Sequence, residues 1–281
     1  MALILPSGPS WAYCTENLQA TPSATAIGTA VTAGASNTEG SDTALLTALA
    51  HDVEYLRIGI SKFYAADLDG SALLDILIDP AGGSSYSVLI PDLLAGWTAP
   101  TSSSAPTSIP LWYDFPVWIP AGATVACRAQ SALAAPAAAY VLVQAFGGNA
   151  NPASWWCGQR VTALGPNAAT SRGVDHLAGS GDWSSWANIG AALDVDCGAV
   201  QFGVQGTGSV MGASVALHWQ FGVGGQSLGP TIVKFTATGE TTLTAPTGPI
   251  FANLPAGTQF QTRGRRAAGT TTLDCAVYAV S

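Results

Sequence analysis

The sequence predicts an all-β protein built from two tandem, internally duplicated β-sandwich domains of the jelly-roll type. Three observations lead to this prediction. Short apolar stretches alternate with Gly, Pro and Asn turns along the chain, and helical periodicity is nearly absent. Several blocks of the first half recur in the same order in the second half. Only 9% of the 281 residues are charged, well below the ~25% of ordinary soluble domains.

The clearest repeat is a Pro-Ala-Gly turn that leads into an alternating strand ending in Arg. Its copies occupy residues 118–130 and 253–263. Pro presets its own φ angle, and Gly permits the positive φ that many tight turns need. The alternation after the turn gives the strand one buried and one solvent-facing side. A second apolar strand follows, and the copies align without a gap from Pro120 and Pro255 to its end.

Two further blocks extend the repeat upstream. Residues 51–60 align with 195–204, and residues 71–78 align with 214–221. A period this long indicates two domains of one fold, because solenoid repeats are typically ~20–50 residues.

The linker between the copies is predicted at 147–152, where Gly, Asn and Pro cluster. We therefore expect a first β-sandwich domain at residues 1–148 and a second at 149–281.

The elements of the first domain follow from the same patterning. Residues 1–20 form an arm or a first strand. Residues 42–50 allow a short helix capped by Ser41 or Asp42, or else a strand, because the matching residues 186–190 have poor helix chemistry. The other expected elements are a strand with a loop at 24–37, strands at 55–62, 72–78, 85–90, 124–130 and 139–144, a Ser/Thr/Pro loop at 96–110, and an aromatic stretch at 111–119.

The second domain contains a Gly/Ser/Trp loop at 179–186. Its strands are predicted at 199–204, 214–222, 231–237, 241–244, 258–263 and 274–279.

Charge and hydropathy exclude several classes of partner. The net charge of −8 argues against nucleic acid, whose binding needs a basic footprint, and against anionic membrane surfaces. The longest uncharged run, between Arg128 and Arg160, is interrupted by Pro, Gly and Asn, which does not fit a spanning helix of ~20 apolar residues. Residues 1–6 lack a basic start and a long apolar core, so we expect no signal peptide.

The cysteine pattern predicts free thiols. The count of five is odd, no CxxC occurs, and the spacing matches no zinc pattern. Free thiols fit a protein that folds in a reducing cytoplasm. The five are Cys14, Cys127, Cys157, Cys197 and Cys275.

No catalytic constellation can be assigned, so we expect a non-enzymatic protein without cofactor or metal. None of His51, His176 and His218 lies near a GxSxG-type elbow. A glycosidase needs two facing carboxylates, but most candidates lie in turns, where Asp commonly stabilises the turn itself. Residues 67–70 resemble the start of a calcium loop but lack its later ligands. The carboxylates considered are Asp67, Asp69, Asp175, Asp182, Asp194 and Asp196.

Tryptophan pairs and a basic strand in the second half are the candidate contact residues. Exposed aromatic rings can stack on sugars or insert into a partner, although packing at the ends of a sandwich explains them too. In a strand, Arg263 and Arg265 share one face while Arg266 points the other way, either towards a neighbouring acidic subunit or into solvent. The candidates are Trp155, Trp156, Trp183, Trp186, Arg263 and Arg265.

The segment from Ile119 to Gln130 resembles structural proteins of tailed bacteriophages and related gene transfer agents. Those proteins often carry an Ile-Pro-Ala-Gly turn into an alternating strand ending in Arg-Ala-Gln. The second copy keeps the Pro-Ala-Gly turn and Arg263 but reads Gly264-Arg265 afterwards. The resemblance implies a virion component of jelly-roll-like domains, assembled in the host bacterial cytoplasm, with no catalytic residues.

Two functional hypotheses follow. The first is a non-enzymatic particle component, such as a head decoration, head spike, tail fibre or baseplate protein. It would bind copies of itself and other virion proteins, and could also meet a glycan on the host surface. The arm at 1–6 and the loop at 96–110 are its expected contacts with neighbours. The alternative is a carbohydrate-binding module or glycan-active protein that uses the Trp-rich loops.

Overall fold

The chain is all-β, as predicted. The computed structural model describes residues 11–17, 28–64, 70–97, 111–131, 138–148, 156–166, 173–207, 216–235, 242–267 and 271–281. Within these ranges it contains twenty strands and no helix.

The first half forms two sheets that enclose one core. Its strands are β1 (Tyr13–Glu16), β2 (Thr29–Thr32), β3 (Thr43–Leu46), β4 (Tyr55–Tyr64), β5 (Gly70–Asp79), β6 (Ser87–Trp97), β7 (Leu111–Phe115), β8 (Thr124–Ser131) and β9 (Ala138–Gly147). One sheet has the order β1-β9-β4-β7, with β2 also paired to β9, and the other has the order β3-β8-β5-β6. Alternate residues of both sheets, such as Ile58 and Val143 on one and Leu74 and Cys127 on the other, bury their side chains in a single apolar cluster.

The second half forms one more continuous sheet of eleven strands among the described residues. Its strands are β10 (Val161–Leu164), β11 (Val174–Ser180), β12 (Ala187–Asn188), β13 (Cys197–Thr207), β14 (Ala216–Val223), β15 (Gln226–Ser227), β16 (Ile232–Phe235), β17 (Thr242–Pro246), β18 (Ile250–Leu254), β19 (Phe260–Arg266) and β20 (Thr271–Val280). The main path is β15-β14-β19-β11-β20-β13-β17. Its core centres on Phe202, Phe221 and Phe260, and the rings of Phe202 and Phe221 stack with centroids 4.4 Å apart.

Strand pairings correspond between the halves. The antiparallel pair β4–β9 matches β13–β20, β5–β8 matches β14–β19, and β3–β8 matches β12–β19. The short pairs β1–β9 and β2–β9 likewise match β10–β20 and β11–β20. These equivalences agree with the predicted internal duplication, which stays a prediction.

The two Pro-Ala-Gly turns are built alike. The Ala121 N–H donates to Asp52 Oδ1 at 2.7 Å, and the Ala256 N–H donates to Asp196 Oδ1 at 2.8 Å. The glycine that follows each alanine has a φ of 84° in the first turn and 85° in the second. Only glycine adopts this left-handed region without strain, so the motif specifies the turn.

Register corrects two of the sequence alignments. Leu74 lies opposite Ala129, and Trp219 lies opposite Gly264, so residue 74 corresponds to 219 and the aligned block 71–78 is displaced by two residues. The last strands are displaced by one, because Gly59 lies opposite Leu142 whereas Gly203 lies opposite Ala276 and not opposite the aligned Val277. Alternation in apolar strands cannot distinguish shifts of two residues, which preserve the buried face.

The helix considered at 42–50 is wrong, and the alternative strand is present. Thr43 and Ala44 pair with Cys127 and Ala126 in an antiparallel ladder. Ala48, at the end of this segment, has a φ of 47°, which is incompatible with a right-handed helix. Several predicted features lie outside the described residues: the arm at 1–10, Asp67 and Asp69, most of the loop at 96–110, most of the linker at 147–152, and Trp155.

The two halves share buried surface, which the sequence did not indicate. One face of β13 and β20 packs on the second half's own core, while the other places Ala276, Tyr278 and Val280 in the core of the first half. The Tyr278 hydroxyl accepts a hydrogen bond from the Leu94 N–H at 2.8 Å and donates to the Asp92 carbonyl at 3.0 Å. The division into domains at 148/149 stays a prediction.

Candidate functional site

Strand β19 separates a buried face from an outer face. Phe260, Thr262 and Gly264 point into the core, whereas Arg263 and Arg265 alternate with them and lie half-buried on the outer face. This is the strand alternation expected from the sequence.

The loop at 181–186 brings two tryptophan rings onto these arginines. The Ser184 N–H donates to the Gly264 carbonyl at 3.0 Å, and the Gly264 N–H donates to Ser184 Oγ at 3.1 Å. Two hydrogen bonds therefore anchor the middle of the loop to β19.

The rings and guanidinium groups form one stacked cluster. Arg263 Cζ lies 4.9 Å from the centroid of the Trp183 ring and 4.5 Å from that of Trp186. Arg265 Cζ lies 4.8 Å from the Trp183 centroid. Such distances give favourable cation–π interactions, of about 0.5–1 kcal/mol each at exposed sites. We call these four residues, with their partners His218 and Gln220, the Trp-Arg cluster.

Side chains of β14 hold the guanidinium groups in place. Arg263 donates from Nε and Nη2 to Gln220 Oε1 at 2.9 and 2.8 Å. Gln220 Nε2 in turn donates to Thr231 Oγ1 at 2.9 Å. Arg265 Nε donates to His218 Nδ1 at 3.3 Å, and its Nη2 lies 3.1 Å from the same atom. Neither arginine forms an ion pair with a carboxylate of the described residues.

Trp156 lies apart from the cluster, beside the second Pro-Ala-Gly turn. The residue is 40% exposed, and its ring covers Gly198 so closely that a Cβ there would come within 2.6 Å of it. It borders an open surface pocket of about 400 Å³ lined also by Asp196, Asn253 and Pro255. The structure therefore gathers Trp183, Trp186, Arg263 and Arg265 but not Trp156.

Sequence reasoning missed the polar residues that support the cluster. His218, Gln220 and Thr231 carry no motif, and their roles depend on the register of β14 against β19 and β16. His218 was considered only as a catalytic candidate, and the sequence did not indicate which strand lies beside it.

A second polar cluster occupies the outer face of the first half. Arg128 donates to Asp75 Oδ2 from Nε at 3.0 Å and from Nη2 at 2.8 Å, and its Nη1 lies 3.0 Å from Glu39 Oε2. The Asp92 N–H donates to Asp75 Oδ1 at 2.9 Å. The space left among these residues is about 10 Å³, roughly one water molecule.

Burial changes the acidity of this cluster. Desolvation, reinforced by the charges of Asp75 and Glu39, raises the pKa of Asp92 to about 6. Desolvation also raises the pKa of Glu39, against the lowering effect of Arg128. No group of three or more His, Cys, Asp or Glu side chains in the described ranges is arranged to hold a metal ion.

The catalytic candidates do not assemble into a triad in the described part of the chain. His176 Nε2 lies 2.7 Å from Ser184 Oγ, and burial lowers the pKa of His176. The same Oγ accepts the Gly264 N–H, so this pair anchors the loop to β19. His51 stacks on Tyr13 with centroids 3.8 Å apart. Asp194 pairs with Arg160, and Asp196 holds the turn at Ala256.

All five cysteines are free thiols, with three buried, one half-buried and Cys14 exposed. No helix capable of crossing a bilayer occurs among the described residues.

Comparison with known proteins places the chain in no family. No family model matches it, and no curated protein does. A solved structure of PNGF-II is 7% identical with a TM-score of 0.38, and covers 85% of this chain and 59% of that one. The chain thus spans less than two thirds of that protein.

Two other solved structures are more distant. The tandem CBM22 domains of Xyn10C from Paenibacillus barcinonensis are 10% identical with a TM-score of 0.26, and cover 99% of this chain and 94% of that one. The infectious bursal disease virus Gx strain structure is 9% identical with a TM-score of 0.23, and covers 85% of this chain and 57% of that one. At these identities and TM-scores, the matches establish neither a family nor a function.

Proposed function

We propose that the chain is a non-enzymatic structural protein on the exterior of a tailed-bacteriophage-type particle. It would serve as a head decoration, head spike, tail fibre or baseplate component. The observation that carries the proposal is the segment from Ile119 to Gln130, which resembles such proteins in sequence. In the fold it forms a hydrogen-bonded turn followed by β8, a strand paired on both sides by β3 and β5.

Assembly as a homo-oligomer is part of this proposal. Large apolar side chains remain exposed on the second half, including Leu177 at 52%, Val233 at 50% and Phe251 at 49%. Contacts between copies in closed cyclic symmetry are a usual way to cover such residues. Residues 1–6 and 96–110 are further candidate contacts.

Deletion of residues 1–10 tests the assembly. The truncated protein should sediment as a smaller species while its circular dichroism spectrum stays that of a β-sandwich protein. Mass spectrometry of particles purified from the bacterium that encodes the gene should detect the full-length chain. A full-length monomer at high concentration, together with unchanged particles when the gene is deleted, would contradict the proposal.

A carbohydrate-binding module is the second candidate function. The specific observation that favours it is the placement of aromatic rings beside polar groups, half-buried in the Trp-Arg cluster and exposed at the Trp156 pocket. A glycan array discriminates the candidates. Binding of a defined glycan by a protein that is absent from particles would favour the module.

A further inference from the structure

Five positions on the outer face of each half correspond to one another. The anchor is strand register, since Leu74 lies opposite Ala129 just as Trp219 lies opposite Gly264. Asp75, Glu39, Asp92, Arg128 and Gln130 of the first half correspond, in that order, to Gln220, Trp183, Thr231, Arg263 and Arg265 of the second.

Two of these matches depend on the neighbouring backbone. Glu39 precedes Gly40, whose N–H donates to the Ala129 carbonyl at 2.8 Å, and Trp183 precedes Ser184, whose N–H donates to the Gly264 carbonyl at 3.0 Å. The match of Asp92 with Thr231 follows from the next residue of each strand. Leu93 lies opposite Leu74 of β5, and Ile232 lies opposite Trp219 of β14.

The arginine geometry is the same in both copies. Arg128 contacts one oxygen of Asp75 through Nε at 3.0 Å and Nη2 at 2.8 Å. Arg263 contacts the one oxygen of Gln220 through the same two atoms at 2.9 and 2.8 Å. The second copy thus keeps the side-chain arrangement but replaces the carboxylate with a neutral amide.

The other replacements change the charge in the same direction. Three carboxylates and one guanidinium give the first cluster a formal charge of −2, whereas the second has two guanidiniums, no carboxylate and a formal charge of +2. The carboxylate that covers Arg128 is replaced by an indole ring over Arg263. In the first cluster all three nitrogen atoms of the Arg128 guanidinium contact a carboxylate. In the second cluster, Nη1 of Arg263 and Nη1 of Arg265 have no hydrogen-bond partner among the described residues.

We propose that the Trp-Arg cluster binds the carboxylate of an acidic sugar in a surface glycan. The two guanidinium groups bind the carboxylate, because charge-assisted bonds from arginine are strong and geometrically specific. Trp183 and Trp186 stack against these guanidinium groups and so fix their orientation towards the carboxylate. This inference rests on the proposed function, since it names the ligand with which an exterior protein of the particle meets a host surface.

The test is calorimetric titration of the full-length protein with trigalacturonate. The expected result is saturable binding that weakens with added salt, and no binding of the neutral galactotriose. Arg263→Gln removes one guanidinium, and Gln220→Glu restores the carboxylate character of the first half without removing either arginine or tryptophan. Each should weaken binding by about tenfold or more, as expected for charged hydrogen bonds.

Gln159→Glu is the matched control, because it adds the same charge at an exposed position outside the cluster, and it should leave the affinity unchanged. Circular dichroism establishes that each variant is folded. Gln220→Glu is the decisive variant, since it should stabilise the fold through a new ion pair with Arg263 while it weakens the binding of trigalacturonate.

Three results would overturn the inference: no binding of trigalacturonate, equal binding of galactotriose, or unchanged affinity in both Arg263→Gln and Gln220→Glu. Inorganic phosphate that binds as tightly as trigalacturonate would overturn the assignment to a sugar. So would an Arg263→Gln variant that loses only self-association in sedimentation, since the occupant would then be a second copy. These titrations do not depend on where the protein is located. If the protein is found on particles but does not bind trigalacturonate, this inference is refuted and the proposed function is not.

Discussion

Single residues decide how each half uses its outer-face arginine. Arg128 is enclosed by carboxylates, and Asp92 beside it is half-buried, so desolvation and the neighbouring negative charges both raise its pKa. Its backbone adopts the left-handed region, with a φ of 53°, which Asp and Asn tolerate better than most residues. The Asp92 carbonyl also accepts a hydrogen bond from the Tyr278 hydroxyl of the other half. Asp92 therefore contacts both the charged cluster and the core that the two halves share.

The raised pKa of Asp92 predicts a pH-dependent stability. Between about pH 4 and 6 the unfolded chain ionises Asp92 while the folded protein, with a pKa of about 6, keeps it protonated. The folded state then binds more protons, so stability falls as pH rises through this window. Asp75, Glu39 and Arg128 are the charged groups that face it.

Asp92→Asn should remove this contribution and tolerate the same φ. At pH 7 the variant should be more stable than the wild type by about 1 kcal/mol, after allowance for partial solvent exposure, with the difference vanishing below about pH 4. Urea denaturation across pH 3.5–8, a range set around the shifted pKa, measures it. The same pH slope in variant and wild type would show that Asp92 is not the responsible group.

At the scale of elements, the Pro-Ala-Gly turn is the unit that the chain uses twice. In both copies an aspartate outside the motif accepts the alanine N–H, and a glycine with positive φ closes the turn. The backbone bonds around it also match: the Gly122 N–H donates to Leu49 at 2.6 Å, and the Gly257 N–H donates to Leu193 at 2.8 Å. Because the two turns have matching hydrogen bonds, we expect them to contribute similarly to the free energy of unfolding.

Asp52→Ala and Asp196→Ala should therefore destabilise the protein by similar amounts, each about 0.5–1.5 kcal/mol for the loss of one hydrogen bond. Asp52→Asn and Asp196→Asn are the controls, because they keep an acceptor oxygen and should cost less. Chemical denaturation gives the values. A substantial effect at one turn and none at the other would show that the two turns are not energetically equivalent.

The strands and turns were largely predictable, and the contacts across strands were not. Alternation from Thr124 to Gln130 locates β8, but only residues 128–131 alternate in burial, because residues 124–127 are buried on both faces. Arg263 and Arg265 were expected on one face of a strand, as found. Their contact with Trp183 could not be foreseen, since it depends on how a loop 80 residues earlier is tied to Gly264. Gln220 was missed because a neutral side chain in a strand carries no chemical signature.

At the scale of the whole molecule, the shared surface between the halves was the largest unforeseen feature. Tyr278 and Tyr113 are fully buried there, with ring centroids 5.7 Å apart. Gln201 and Gln205 are also fully buried, with Gln201 accepting the Asp114 N–H at 3.1 Å. Tyr and Gln alternating with apolar residues in β13 and β20 look like a solvated face, so sequence patterning could not reveal a second buried side.

This shared core predicts cooperative unfolding of both halves. Scanning calorimetry should show one transition whose calorimetric and van't Hoff enthalpies agree. Tyr278→Phe should lower the temperature of that single transition, because it leaves the buried Leu94 N–H without its acceptor, at a cost of about 1–3 kcal/mol. Two separated transitions, with only one shifted by Tyr278→Phe, would mean that the halves unfold independently.

The location of the protein tests the central proposal most directly. Particles from the bacterium that encodes this chain would be incubated intact with gold-labelled antibodies against the purified protein and imaged in negative stain. The account predicts gold at regular sites on the outside of the head or tail, and none on particles from a strain that lacks the gene. Unlabelled particles, in preparations where mass spectrometry also fails to detect the chain, would contradict it and leave the carbohydrate-binding module as the better explanation.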